Sequence, residues 1–279
     1  MTTKLNPYSA IRKVPLNYEG INSSAFAVQT EDYVPIGKDL DGNVEYGYKW
    51  KEKGVVGENY LLVPNSDVKE MAERIARKST LNWKEGKQFF NGRQFMYTMT
   101  TEDIVGTVTK GDDIGLGFAM WNSYDGSKSL SFEIFLNRLI CLNGMVSRKE
   151  FMNYRFRHQP QSQDWQNDLG EVISILENIP MEDYMSNFRN LLEPLDIDKL
   201  ADIRVNHIPK LSTSTFGKTL DNFLVDNDMY KQRGWDFLNS ATNILWHNKK
   251  QTSADFNNNA YVVEGMLNYA KTHGNIVPN

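Results

Sequence analysis

Lys87-Gln88-Phe89-Phe90-Asn91-Gly92-Arg93-Gln94-Phe95-Met96-Tyr97-Thr98 is the stretch whose reading decides the fold. Asn-Gly accepts the positive φ angles that a two-residue turn demands, and that turn's twist matches the strands on either side of it. The stretch therefore predicts an antiparallel hairpin. Asp125-Gly126 repeats the signal between Ile114 to Trp121 and Leu130 to Leu142, and Asp41-Gly42 marks a further turn of the same kind. One helix interrupts the hairpins. Ser66 or Asp67 is the expected cap, Val68, Met71, Ala72 and Ile75 share a face, and Glu70/Arg74 and Glu73/Arg77 form i,i+4 pairs outside it.

Near residue 160 the texture changes. After the polar connector Gln159-Pro160-Gln161-Ser162-Gln163, the apolar period becomes helical at Leu169, Val172, Ile173 and Leu176. Pro180, Pro194 and Pro209 punctuate the second half, Trp235, Leu238, Ile244, Leu245 and Trp246 form an apolar helix, and Asn257-Asn258-Asn259 reads as a loop. The fold class expected is α+β: an antiparallel, hairpin-rich N-terminal half with one long helix, followed by a helical C-terminal half. The division falls at 1–160 and 161–279, with the helical region packed on or beside the sheet.

The chain of 279 residues is 40% hydrophobic, enough to bury a sizeable core. Its N-terminus lacks an apolar leader, and no run approaches ~18 uninterrupted apolar residues. Secretion and membrane spanning are not expected. The single cysteine, Cys141, sits in an apolar context and excludes an intramolecular disulfide framework, which suits the cytoplasm.

The net charge of −4 conceals a polarised distribution. Lys69 to Arg93 and Lys128 to Arg157 each carry +4, whereas Asp164 to Arg204 carries −7. Such asymmetry suits nucleic-acid binding on one side, and it also suits two solvated charged faces. The sharpest candidate runs from Arg148 to His158, where basic and aromatic residues interleave. Read as a strand, it points Phe151, Asn153, Arg155 and Arg157 one way and Met152, Tyr154, Phe156 and His158 the other. Arg155 and Arg157, helped by Arg148, Lys149, Arg74, Arg77 and Lys78, would neutralise phosphates while Phe151 stacks on a base. An ordinary amphipathic strand has the same pattern.

Catalytic signatures are sparse. His158, His207, His247 and His273 are widely spaced and form no recognisable ligand motif, so neither a metal nor a cofactor is expected. Gly217-Lys218-Thr219 resembles the end of a phosphate loop, but Ser212 stands where that motif needs glycine. Gly115-Leu116-Gly117 has only two of the three dinucleotide-loop glycines and marks a strand where another backbone packs closely. Asp67 with Glu85-Gly86-Lys87 would give a minimal Mg²⁺ nuclease set, a pattern too short to be specific.

The run Asn122-Ser123-Tyr124-Asp125-Gly126-Ser127-Lys128-Ser129-Leu130, followed by Asn137-Arg138-Leu139-Ile140-Cys141-Leu142-Asn143-Gly144-Met145, carries a family resemblance. It resembles the phage/plasmid-like family catalogued as a domain of unknown function (DUF nine-three-two type), with Tyr124 where histidine is common. Asn59 to Asn65, Arg155 to His158 and Gly234 to Thr242 are similar to the same family. The resemblance implies a phage, prophage or plasmid setting among replication, recombination or defence genes, and transfers no catalytic residues. The expected function is single-stranded DNA binding or annealing, in a plan similar to ring-forming annealing proteins, with a homo-oligomer as the matching assembly. The alternatives are a host-protein interaction or anti-defence factor using the acidic half, and a metal-dependent nuclease.

Overall fold

Turn chemistry places the hairpins. Gly42, Gly92 and Gly126 take positive φ of 83°, 93° and 73°, each where a Gly-containing dipeptide reverses the chain. In the computed structural model, residues 5–18, 21–140, 143–146, 153–156, 165–226, 232–247 and 253–273 are described. The architecture is α+β, strand-rich first and helical second, as the sequence predicts.

The first sheet is a three-stranded antiparallel arm in the order β1 (Ile11–Tyr18), β2 (Ile21–Lys38) and β3 (Val44–Gly57). β1 pairs with β2 only as far as Thr30. Beyond that point β2 and β3 continue alone as a two-stranded ribbon. The second sheet has the order β10 (Asn153–Phe156), β8 (Leu130–Arg138), β7 (Asp112–Ser123), β5 (Gln94–Thr101) and β4 (Trp83–Phe90). β6 (Gly106–Thr109) adds to β7 and β9 (Asn143–Val146) adds to β8.

Cross-strand partners share a face, and this parity sorts the core. Phe95, Tyr97, Phe118, Met120, Phe132 and Ile134 point to the first face of the large sheet, where α1 (Asn65–Lys78) lies on them. Val68, Met71, Ala72 and Ile75 of α1 are completely buried, which contributes roughly 1.5–3 kcal/mol for each of the larger three side chains. The helix begins before the expected cap. Its N-cap is Pro64, and Ser66 and Asp67 sit in the first turn with the Ser66 hydroxyl bonded to Asp67. Both outer pairs form, with Arg74 2.5 Å from Glu70 and Arg77 3.7 Å from Glu73.

The same core includes α2 (Trp165–Glu177), α3 (Met181–Arg189), α5 (Thr213–Asp226), α6 (Gly234–Trp246) and α7 (Ser253–His273), through residues such as Val172, Phe188, Phe223, Trp235 and Val262. Between α3 and α5 lie a short helix, α4 (Ile197–Asp202), and a π turn, Ile203–His207. The second face of the large sheet buries Met96, Trp121, Phe135 and Val146 beneath Trp246 of α6 and Phe256 of α7.

The Asn257-Asn258-Asn259 run lies inside α7, not in a loop. Asn259 is fully buried, and its amide accepts from Val146 N–H at 2.9 Å and donates to Gly144 C=O at 2.8 Å. The helix thereby satisfies the edge of β9 with a side chain. Gly217-Lys218-Thr219 falls mid-helix in α5. At Gly117 a Cβ would come within 2.2 Å of the Phe135 ring, so the glycine admits a packed ring and not a ligand.

Candidate nucleic-acid interface

The predicted basic strand exists in part. Asn153–Phe156 pairs with β8, setting Tyr154 against Phe132 and Arg155 against Ser131. Phe132 points to the α1 face, and Tyr154 packs on that core. Ser131 pairs with Trp121 on the second face, so Arg155 projects from the side of the sheet opposite α1 and is exposed. Arg148, Lys149, Phe151 and Arg157 lie outside the described residues, as do Cys141, His158 and the connector 159–163.

Arg74, Arg77 and Lys78 lie on α1, across the sheet from Arg155. The described members of the predicted basic set thus occupy two faces. A strand's side chains alternate while a helix covers only one side of it, so linear charge counts merge what the sheet separates. Lys128 does share the Arg155 side: its ammonium stands 4.4 Å over the Trp121 ring and 3.9 Å from Glu133, which accepts from the Trp121 indole at 3.2 Å.

The Asp67, Glu85 and Lys87 set is also divided. Glu85 pairs with Met99 on the α1 face and lies 3.7 Å from Lys69. A β-bulge between Glu85 and Gln88 then turns the strand, since an extra residue re-aims the next side chain. Lys87 emerges on the second face, donating to the Trp246 carbonyl with its ammonium 4.9 Å from the Trp246 ring. Burial lowers its pKa from 10.5 to about 8.

The resemblance motif is a hydrogen-bonded knot. Asn122 donates to Val63 C=O and to the Asn65 side chain, both at 2.9 Å. The Ser123 hydroxyl donates to Lys128 C=O at 2.7 Å and accepts from Lys128 N–H at 3.0 Å. The fully buried Tyr124 hydroxyl accepts from Asn65 N–H at 3.2 Å, at the start of α1. Burial pushes the Tyr124 phenol well above its ordinary range. Arg138 grips buried Asp112 through two bonds of 2.5 and 2.8 Å, and the Trp235 indole donates to the same carboxylate at 2.7 Å. These contacts join β7, β8, α1 and α6.

The sequence announces the arm only through its Asp41-Gly42 turn. Tyr33 pairs with Tyr48, Pro35 with Tyr46 and Glu31 with Trp50, which sets four rings along one face of the ribbon. Tyr33, Tyr46 and Tyr48 are 54%, 37% and 70% exposed. Tyr33 stacks on Tyr46 at 5.7 Å and meets Tyr48 at 5.2 Å, while the Arg12 guanidinium lies 4.0 Å over Trp50. The available signal was the β-branched and aromatic alternation on both sides of Asp41-Gly42. At about 3.3 Å per residue, the β2–β3 pair is on the order of 45 Å long. Its root packs Val28 and Val56 on Tyr124. The β7–β8 turn also touches the root, because a Cβ on Gly54 would come within 2.4 Å of Asp125. Leu40 at the tip is fully exposed. The root therefore abuts the end of the large sheet that carries Lys128 and Arg155.

The fold and this surface define an α+β protein whose antiparallel ribbon carries an exposed row of aromatic rings. The chain belongs to the family described as Domain of unknown function (DUF932), whose family model matches residues 52–263. The match begins within β3, after the ribbon tip. No curated protein and no solved structure matches the chain. Among the described residues, no helix is long and apolar enough to cross a membrane.

Proposed function

We propose that this is a non-catalytic, phage- or plasmid-encoded protein of the host cytoplasm that binds single-stranded DNA in replication or recombination. The observation that carries the reading is the exposed ring row Tyr33, Tyr46 and Tyr48, continued by the Arg12–Trp50 pair. Unpaired bases stack on such rings whatever their sequence, at about 1–3 kcal/mol per base. Duplex bases are already stacked and gain nothing there. A two-stranded ribbon is marginal in water without further packing, so an exposed aromatic face on one favours a ligand that covers it. Arg155, exposed at the arm's root end of the sheet, supplies a cation for the backbone of the same strand.

The test is fluorescence anisotropy of a labelled oligothymidine and of a duplex, over a salt series, with particle size followed in parallel. The expected outcome is preference for the single strand, a loss of about 10-fold or more in Tyr33→Ala/Tyr48→Ala, and a shallower salt slope in Arg155→Glu. Equal binding by the double-alanine variant would sink the ribbon as the platform. Growth in particle size on adding DNA supports an annealing assembly.

One observation favours a host-protein partner as the second reading. An apolar groove of about 690 Å³ in the helical half is lined by Leu195, Leu200, Val205, Phe216, Leu220 and Leu224. Acidic residues such as Glu193, Asp196 and Asp198 stand exposed beside it. Leu224→Arg abolishing recovery of a host protein, with DNA binding intact, would support this reading over the first.

A further inference from the structure

The chain brings together Asp202, His207 and His273, which sequence spacing does not connect. Their ligand-type atoms all lie within 4.8 Å of one another, the one such group of three among the described residues. Asp202 ends α4 and His207 ends the π turn that follows. In an α-helix, residues five apart project about 140° away from each other. The π turn's Ile208 N–H to Ile203 C=O bond, at 2.9 Å, inserts the extra residue that returns His207 to the side of Asp202.

Gly265 of α7 lets this turn approach. A Cβ there would sit 2.5 Å from the His207 carbonyl oxygen and 2.6 Å from Ile208 Cγ2. From that contact point, Tyr269 and His273 follow at i+4 and i+8 on α7. The His207 ring meets Tyr269 edge-on at 5.4 Å, and the His273 ring stacks on Tyr269 at 4.6 Å.

Proton positions make the group a ligand set. Asn206 donates to Asp202 Oδ1 at 2.6 Å, which fixes the carboxylate and leaves Oδ2 turned toward the rings. That Oδ2 is shielded from solvent and receives no well-directed hydrogen bond among the described residues. His207 Nε2 stands 3.3 Å from it and His273 Nε2 3.7 Å.

At His273, Nδ1 lies 3.2 Å from Tyr269 C=O and 2.8 Å from the Thr272 hydroxyl, which also reaches the carbonyls of Asn268 and Tyr269. The Tyr269 carbonyl can only accept, so the tautomer that satisfies it carries its proton on Nδ1 and turns the Nε2 lone pair toward Asp202 Oδ2. A carboxylate oxygen facing two imidazole nitrogens at 3.3 and 3.7 Å is a donor set that a cation can bridge. A carbonyl holding the far nitrogen is how metal-ligating histidines are usually oriented.

We infer that Asp202 Oδ2, His207 Nε2 and His273 Nε2 form a binding site for a divalent transition ion of the zinc class. Imidazole nitrogens select zinc-like ions over Mg²⁺ and Ca²⁺, which take oxygen. Bonds of about 2.1 Å in a tetrahedron put ligand atoms about 3.4 Å apart, close to the two separations from Asp202. His273, 46% exposed in the last turn of α7, has the freedom to close the remaining gap. A fourth position would take water. Such an ion would pin the end of α7 to the π turn, and nothing in this site touches the aromatic ribbon.

The decisive experiment uses the full chain without an affinity tag, stripped with a chelator and titrated with ZnCl₂ against a chromophoric competitor. One zinc per chain is expected, with affinity falling at least 10-fold in His273→Ala and in Asp202→Asn and unchanged in the control His247→Ala. Because His207 is more buried, the exposed His273 is the variant least able to disturb folding, and circular dichroism verifies that it folds. Substitution with Co²⁺ should give visible bands of tetrahedral intensity that vanish in His273→Ala. Absence of zinc binding by the native chain, or undiminished binding by His273→Ala and Asp202→Asn, overturns the site.

Discussion

The turn at Asn122–Lys128 and the ribbon at Tyr33–Tyr48 use the same device, antiparallel strands reversed at an Asp-Gly pair, and direct their side chains oppositely. In the turn, Asn122, Ser123 and Tyr124 are buried and each bonds inward. In the ribbon, the rings lie outward in a row and touch mainly one another. The buried knot lies within the family match at residues 52–263, and the exposed row from Tyr33 to Trp50 precedes it. The same turn chemistry thus serves two ends, burying polar groups that fasten β7, β8 and α1 in one place and carrying an exposed row of rings in the other.

The strongest way to break this comparison is at the knot. Asp112→Ala removes the acceptor shared by Arg138 and Trp235, deep between β7, β8 and α6. Loss of one partner from a buried ion pair costs about 3–5 kcal/mol, so urea denaturation should show that loss while DNA binding per folded molecule stays the same. A loss under about 1 kcal/mol would mean that α6 is held to the sheet by its apolar contacts alone.

Next in size is Tyr124→Phe. It removes the hydroxyl that accepts from Asn65 N–H and keeps the ring that packs on Val28 and Val56. The expected cost is about 1–3 kcal/mol, the range for leaving a buried donor unmet. By contrast, Tyr48→Ala in the ribbon should change stability by no more than about 0.5 kcal/mol, since it is a surface substitution. If Tyr48→Ala destabilised the fold as much as Tyr124→Phe, the ribbon would be scaffold as well, and the contrast between the two regions would fail.

What was legible in the sequence follows the range of the interactions. The three Asp-Gly and Asn-Gly turns and the buried stripe of α1 are local, so dipeptide chemistry and a 3.6-residue period reveal them. Three features needed the folded chain. The separation of Arg155 from Arg74, Arg77 and Lys78 depends on sheet parity against a helix that covers one side. Glu85 and Lys87 part at a bulge that a linear pattern does not announce. Asn259 belongs in a helix because its amide meets the backbone of β9, more than a hundred residues earlier in the chain. The aromatic row was visible as alternation, but its exposure was not, since nothing local tells a free ribbon from one covered by a second layer.

The smallest effect sharpens the comparison from the body side. Lys87 is half-buried where β4 meets the end of α6, and its ammonium has a pKa of about 8 in place of 10.5 because burial disfavours the charge. Below pH 8 both the folded and unfolded chains hold this proton, and the folded state bears the cost of burying it. Between pH 8 and 10.5 the folded chain releases the proton first, so the unfolded chain binds more protons and stability rises with pH. Tyr8 and Tyr60, both raised from 10.0 to about 12, act in the opposite sense above pH 10, so the clean window is pH 8 to 9.5. Solvent screening keeps the slope shallow. In Lys87→Met, which retains an apolar stem against Trp246, thermal melts across that window should lose the rise. The same substitution should leave DNA binding untouched, because Lys87 is committed to the Trp246 carbonyl and the ribbon is not. A slope that survives in Lys87→Met would assign the titration to another group and remove Lys87 from the account of how the second face is closed.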